Sequence, residues 1–202
     1  MVATGIEGYI SMLTAIISTH DSERSLVPTL AALVPGAAAG LLADVVVADA
    51  NSRDATAEVA DIAGCRFLAS GKPLGVRLKA AAATTRSPWL LFLRAGATPQ
   101  SGWIEATDHF ISTSSAVDDK SKAAVFRAID ITDCARPRLA EIIALFVVAL
   151  GAPKPEQGLL IPRRLYEAIG GHGDGENAEA DLLRKLGRRR LTLLPAAVTT
   201  VR

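Results

Sequence analysis

The chain has 202 residues, half of them hydrophobic and only 4% aromatic, which is enough apolar material to bury one sizeable core. Lys and Arg (22) nearly cancel Asp and Glu (21), so the net charge of +1 supplies no global field to draw in nucleic acid or an acidic partner. Cys65 and Cys134 stand far apart with no CxxC spacing, which argues against a zinc site or a disulfide framework and for a reducing cytoplasm.

The N-terminal stretch has no basic region ahead of its apolar run and no small-residue cleavage site after it, so no secretory signal is expected. Leu13 to Thr19 is a short β-branched run of strand length, and His20, Asp21 and Ser22 supply turn and cap chemistry. From Ser22 to Gly40 apolar residues recur at helical spacing, with Pro35-Gly36 as the stop signal. Ala43 to Ala50 is a valine-dense second strand. Asn51 to Gly64 begins with turn residues and continues as an alanine-rich helix ending at the glycine. Cys65 to Ser70 is a third strand, Gly71 to Gly75 a loop, Val76 to Thr85 a helix, and Trp89 to Gly96 a fourth strand.

The second half reads less regularly. Ser112 to Lys122 is polar and turn-rich and is expected as a surface loop, followed by a strand over Lys122 to Ile131. A helix is predicted from near Pro137. Its apolar run, Leu139 to Leu150, is too short for a bilayer span of about 20 residues and reads as a buried helix. Gln157 to Gly171 reads as strand, helix and Gly-Gly stop, Asn177 to Arg189 as a last helix, and Leu191 to Val201 as terminal strand material. No internal repeat or interdomain linker interrupts this, so residues 1–202 are taken as one domain.

Strands alternating with helices imply an α/β domain with a mainly parallel sheet flanked by helices in three layers. Ligands of such sheets lie beyond the carboxyl ends of the strands. Here those ends are Ser18 to Asp21, Asp49 to Asp54, Gly71 to Arg77 and Arg94 to Thr98.

Four of these segments together resemble the family-2 glycosyltransferases of the GT-A fold. AIISTHDSERSL is similar to their first strand and its Ser/Thr turn. VVVADANSRDAT matches their acidic turn, usually VVDDGSTDGT or VVDGGSSDGT, at Asp49, Ser52, Asp54 and Thr56. GVRLKAAAATTRSPWLLFLRAGATPQSGW follows their Arg-bearing helix and fourth strand up to Leu93, and EQGLLIPRRLYEAIGG with the acidic helix start after it completes the series. Across Leu13 to Thr200 the order is most similar to a bacterial subgroup associated with radical-SAM and selenodomain proteins.

The resemblance implies transfer of a sugar from a nucleotide-sugar donor to an acceptor hydroxyl. It places Ser18 and Asp49 in the nucleotide pocket, although Asp49 equally suits capping of its own turn. Ser52, Asp54 and Thr56 fit turn and helix-start roles. Arg77 suits a diphosphate as well as a solvated helix face, and so does Lys79. Of the acidic pair that starts the final helix in relatives, the second member is the base. It corresponds to Glu179, which a helix N-terminus would also favour through its dipole.

One departure stands out. Relatives end the fourth strand in DxD, or HAD in the subgroup, whose last carboxylate holds Mg²⁺ or Mn²⁺ against the diphosphate. This chain has Arg94-Ala95-Gly96-Ala97. No metal ligand is carried over, and Arg94 is left to replace part of the lost positive charge at the diphosphate. The same loss equally suits a non-catalytic relative that keeps the fold as a binding module. Arg163-Arg164 and Arg188-Arg189-Arg190 fit solvated faces or peripheral contact with the inner membrane surface. His20, His109 and His172 lack metal-ligand spacing.

Overall fold

The computed structural model describes residues 13–115, 122–129 and 153–200. The helix expected from Pro137, with its apolar run Leu139 to Leu150, lies outside the described residues.

The centre of the fold is β1 (Leu13–Thr19), buried at every position but Ser18. It lies between β2 (Leu42–Asp49) and β4 (Trp89–Arg94) and is parallel to both, with β3 (Arg66–Ala69) parallel on the far side of β2. The crossovers are α1 (Glu23–Ala38), α2 (Thr56–Ile62) and α3 (Leu74–Ala83). After β4 come β5 (Ala97–Pro99), α4 (Trp103–Ser115), β6 (Ala123–Ile129), a 3-10 turn at Pro155–Gln157, β7 (Leu159–Pro162), α5 (Arg163–Ala168), α6 (Ala178–Arg190, broken by Gly187 at φ 64°) and β8 (Leu191–Thr200). One eight-stranded sheet results, in the order β3-β2-β1-β4-β7-β6-β8-β5.

Alternate residues of each strand feed two cores. Leu13, Ala15, Ile17, Leu91 and Leu93 pack with Leu26, Leu30 and Leu33 of α1 and with Trp103 and Ile111 of α4. Ile16, Val46, Leu90 and Phe92 pack with Leu78 of α3, Leu165 and Tyr166 of α5, and Leu182, Leu183 and Leu186 of α6. Strands buried on both faces explain why the first half reads as continuous apolar runs instead of strict alternation.

The expected parallel sheet is formed by β3, β2, β1 and β4 as successive neighbours. Beyond β4 the sheet is mixed: β7 runs antiparallel to both β4 and β6, and β5 antiparallel to β8, while β6 and β8 are parallel. Two boundaries also differ from expectation. Helix α1 passes through Pro35-Gly36 to Ala38: Pro35 forgoes only its own N–H, while its carbonyl still accepts from Ala39 (2.9 Å), and Gly36 clears space for the Trp103 ring. A Cβ at Gly36 would lie 2.4 Å from that ring. Residues 112–115 close α4 instead of opening the expected loop, since Ile111 and Trp103 anchor that helix in the core.

Candidate functional site

The carboxyl edge of the parallel half-sheet is held by two βα turns that bind each other. Asp21 and Asn51 adopt left-handed backbone (φ 45° and 58°), which short polar residues tolerate. The Asp21 N–H donates to Ser52 Oγ (2.8 Å), and the Arg53 N–H returns a bond to Asp21 Oδ1 (2.8 Å). Thr56 Oγ1 accepts from the Ser22 N–H (2.9 Å), and Asp54 Oδ2 from the Glu23 N–H (2.9 Å). Ser52, Asp54 and Thr56 thus organise the helix starts, as their residue types suggest, but largely by reaching across to α1.

Asp49 is 1% exposed at the end of β2, opposite Thr19. Its carboxylate accepts from Thr19 Oγ1 (2.6 Å), Ser52 Oγ (2.5 Å) and the Ser52 N–H (2.7 Å). Arg77 is buried one layer below. Its guanidinium donates to the carbonyls of Ala48 (2.6 Å), Lys72 (3.1 Å) and Thr19 (3.4 Å), which stitches α3 to the ends of β1 and β2. Burial pulls the Arg77 guanidinium below its ordinary value, against the pull of Glu176, Asp49 and Glu179. Both residues reach the predicted edge, and both are engaged with the protein there. Ser18 stands between them and Arg94, its hydroxyl making only a long contact to the Leu93 carbonyl (3.5 Å).

Arg94 ends β4 beside Ser18, and the turn after it is fixed. The Ala95 N–H donates to Ser18 O (3.0 Å), and the Gly96 N–H to Ser25 O (3.0 Å) and Thr29 Oγ1 (2.9 Å), with Gly96 at φ 91°. From this platform Arg94 Nε donates to Glu179 Oε2 at 2.7 Å, a second guanidinium nitrogen joins the same oxygen, and Glu156 lies 3.5 Å away. The Arg94 side chain is 40% exposed and that of Glu179 only 8%. Burial pushes the Glu179 carboxyl up, and Arg94 offsets only part of that push. Burial works the other way on Arg94, but Glu179 outweighs it and holds the guanidinium above its ordinary range.

Glu179 reaches this place because α3 and the start of α6 approach unusually closely at Gly75. A Cβ there would fall 1.7 Å from the Gly173 carbonyl oxygen and 2.5 Å from Ala178 Cβ. Beside Glu179 a recess is lined by Phe92, Lys154, Pro155, Gly158, Leu159, His172 and Leu183. The 3-10 turn that carries Glu156 is fixed by Gln157, whose Nε2 donates to Phe126 O (2.9 Å). Gly158 (φ 71°) sits against Leu93, where a Cβ would be 2.7 Å from Cδ2.

The recess holds His172, which the sequence reading weighed only as a metal ligand. His172 is 1% exposed, its Nδ1 is 2.8 Å from the Tyr166 hydroxyl, and Phe92 packs edge-on at 4.7 Å. Burial, with some help from Lys185, drives the imidazole down to about 4, and burial drives the Tyr166 phenol up to about 12. The available signal was Gly170-Gly171 just before it. Both glycines have positive φ, and at Gly171 a Cβ would meet the Tyr166 ring at 2.8 Å. Arg163, expected on a solvated face, donates to the carbonyls of Ser87 (2.9 Å) and Ala82 (3.1 Å) and to the Thr85 hydroxyl.

The metal that DxD relatives use does not fit the donors here. A hard divalent ion needs oxygen ligands, yet the strand end presents a guanidinium that already draws in the two nearest carboxylates. Among the described residues no group of three or more His, Cys, Asp or Glu side chains converges to hold an ion. Nor, among them, is any helix long and apolar enough to cross a membrane.

No protein-family model matches this chain, and no curated protein does. Solved structures do. S. aureus TarS aligns over 94% of this chain and 60% of its own, with a TM-score of 0.69 at 14% identity. A TarS structure in complex with UDP-GlcNAc aligns over 94% of this chain and 59% of its own, at 0.65 and 14%. Glucosyl-3-phosphoglycerate synthase from Mycobacterium tuberculosis, in complex with Mn²⁺, UDP and phosphoglyceric acid, aligns over 95% and 71% of the two chains, also at 0.65 and 14%. The chain therefore spans about three fifths of the TarS 1-349 chain it matches. Likeness at such identities speaks for architecture alone, and the architecture is the GT-A glycosyltransferase fold.

Proposed function

We propose that the protein transfers a sugar from a nucleotide-sugar donor to an acceptor hydroxyl, with Arg94 supplying the positive charge that a DxD-bound ion supplies in relatives. The observation that carries this reading is the meeting of Arg94 and Glu179 at the carboxyl edge of the sheet. A guanidinium offers parallel donors to phosphate oxygens, and a buried carboxylate with a raised affinity for protons suits a general base. In the reaction the acceptor O–H proton passes to Glu179 and the acceptor oxygen bonds to the anomeric carbon. The bond from that carbon to the diphosphate breaks, and the diphosphate leaves with the electron pair beside Arg94. Ser18 and the Asp49 turn would border the nucleoside, with Asp49 and Arg77 shaping the floor instead of touching it. The order of motifs supports the radical-SAM-associated subgroup as the nearest kin.

The test is a donor screen with UDP-, GDP- and dTDP-sugars, run with Mn²⁺, with Mg²⁺ and with EDTA. Release of nucleoside diphosphate that persists in EDTA and is lost in Glu179→Ala is expected. No release from any donor would overturn it. A second reading, a non-catalytic sugar-nucleotide-binding module, draws on the occupation of Glu179 by Arg94, and binding without turnover would select it.

A further inference from the structure

We propose that the Arg94–Glu179 ion pair is a lock that a nucleoside diphosphate opens: its phosphate oxygens take the guanidinium, and the freed Glu179 carboxylate turns to the acceptor hydroxyl. The inference rests on the transferase reading above and adds an order of events, in which the donor binds before the base becomes competent.

Three observations carry it. First, the two halves of the pair are unequally accessible. The Arg94 side chain is 40% exposed and Glu179 only 8%, so an incoming anion meets the cation first and the carboxylate lies behind it. Second, both forked edges of the guanidinium already face carboxylates, since Nε and a terminal nitrogen converge on one Glu179 oxygen and the other terminal nitrogen lies 3.5 Å from Glu156. A phosphate cannot take either edge while a carboxylate holds it. Third, the local charge is unfavourable to a simple addition. Glu179 and Glu156 both face Arg94, so the three groups sum to −1 before any diphosphate arrives. Bringing a diphosphate there requires a carboxylate to swing away or take up a proton, and burial pushes the Glu179 carboxyl toward the protonated form.

The groups facing Glu179 set the expected titration. Arg94 faces it from β4, Arg77 from α3, and Glu156 from the 3-10 turn, while Lys154 and His172 share its recess and β8 has no titratable residue. His172, held down to about 4, is neutral near pH 6 and contributes nothing to the change there. Arg94 is the chief group lowering Glu179, so engaging it on a diphosphate raises the carboxyl's affinity for protons: the freed group is a stronger base toward the acceptor hydroxyl and, with no acceptor present, draws part of a proton from solvent.

The experiment is calorimetric binding of UDP, GDP and pyrophosphate at pH 6 in two buffers of different ionisation enthalpy, for wild type, Glu179→Gln and Arg94→Ala. A neutral amide competes less for the guanidinium, so Glu179→Gln is expected to bind about ten-fold more tightly than wild type, the size of one charge-assisted hydrogen bond. Arg94→Ala is expected to bind at least about ten-fold more weakly. Binding to wild type should take up more protons than binding to Glu179→Gln. That difference cancels the ligand's own phosphate titration near about pH 6. Thermal melts establish that each variant is folded, and the wild-type proton count stands without them. Binding that depends on Arg94 but is neither tighter nor lower in proton uptake in Glu179→Gln overturns the lock and leaves the transferase reading intact. No binding of any probe to wild type overturns both.

Discussion

Arg94 and Glu179, 85 residues apart in sequence, meet where β4 ends and α6 begins, the cation half-open to solvent and the carboxylate behind it. The pair sets an arginine at the carboxyl end of β4, the edge beyond which ligands of parallel sheets lie. Removing the guanidinium would leave a buried carboxylate with Arg77 as the remaining cation that lowers it. Breaking a fully buried pair costs about 3–5 kcal/mol, and the exposure of Arg94 reduces this to roughly 1–3 kcal/mol for Arg94→Ala at pH 8. The sign with pH follows. Without Arg94 the Glu179 carboxyl rises further above its ordinary 4.5. A raised folded-state value favours the fold fully below the unfolded value and loses that advantage as pH climbs through the folded one. The deficit of Arg94→Ala should therefore shrink from pH 8 to pH 5 in urea titrations. Equal deficits at both would show that Glu179 is not left charged and buried.

A separate pH effect belongs to His172. Its imidazole is lowered from 6.5 to about 4 because it is buried against Phe92 and Tyr166. The unfolded chain binds that proton at higher pH than the folded one, so the contribution is complete above 6.5 and is lost as pH falls toward about 4. The shift corresponds to roughly 3 kcal/mol. Wild type should lose about that much stability between pH 7 and pH 4 relative to His172→Gln, which has nothing to titrate there. Parallel slopes in the two proteins would place His172 in contact with solvent.

The alternation of apolar runs and helical spacing was enough to place β1, β2 and β4 side by side, because parallel strands covered on both faces must be continuously apolar. The same pattern says nothing of direction in the later strands, where β7 returns antiparallel on β4 through contacts far apart in sequence. Turn chemistry in Ser52, Asp54 and Thr56 was legible as turn chemistry, but not that its partners are Asp21, Ser22 and Glu23, since side-chain reach across two loops is a tertiary fact. Arg94 and Glu179 were each visible as unusual residues at strand and helix ends. Their pairing was not, because it depends on α3 and α6 meeting at Gly75. His172 was legible only as a histidine without metal-ligand spacing, because its pairing with Tyr166 depends on the turn at Gly170-Gly171.

Asp49 closes the β2 turn by accepting three hydrogen bonds while 1% exposed. Asp49→Ala strands the Thr19 and Ser52 donors and should cost about 3 kcal/mol. Asp49→Asn keeps one accepting oxygen and should cost less. Thermal melts of the two variants give the ranking. If Asn is as damaging as Ala, the charge rather than the hydrogen-bond count is what the turn needs.

Gly75 is the hinge of the site's assembly. Gly75→Ala places a methyl against the Gly173 carbonyl and Ala178, so α3 and the start of α6 must separate. A cost of about 3 kcal/mol, at the upper end for overpacking, is expected. Because Ala178 precedes Glu179, the shift draws the carboxylate off Arg94, so the folded variant should bind nucleotide more tightly than wild type, toward the affinity of Glu179→Gln. A variant that binds normally would mean that the Glu179 position does not depend on this contact.

Metal-free binding of the diphosphate by Arg94 is the core of the proposed function. It is tested most directly by calorimetric titration of wild type and Arg94→Ala with UDP and GDP, first with Mn²⁺ and then with excess EDTA. The account predicts one affinity for wild type in both conditions, and an affinity at least about ten-fold weaker in both for Arg94→Ala. Wild-type affinity that collapses on chelation would contradict it and would show that carboxylates such as Glu156 and Glu179 gather a metal after all.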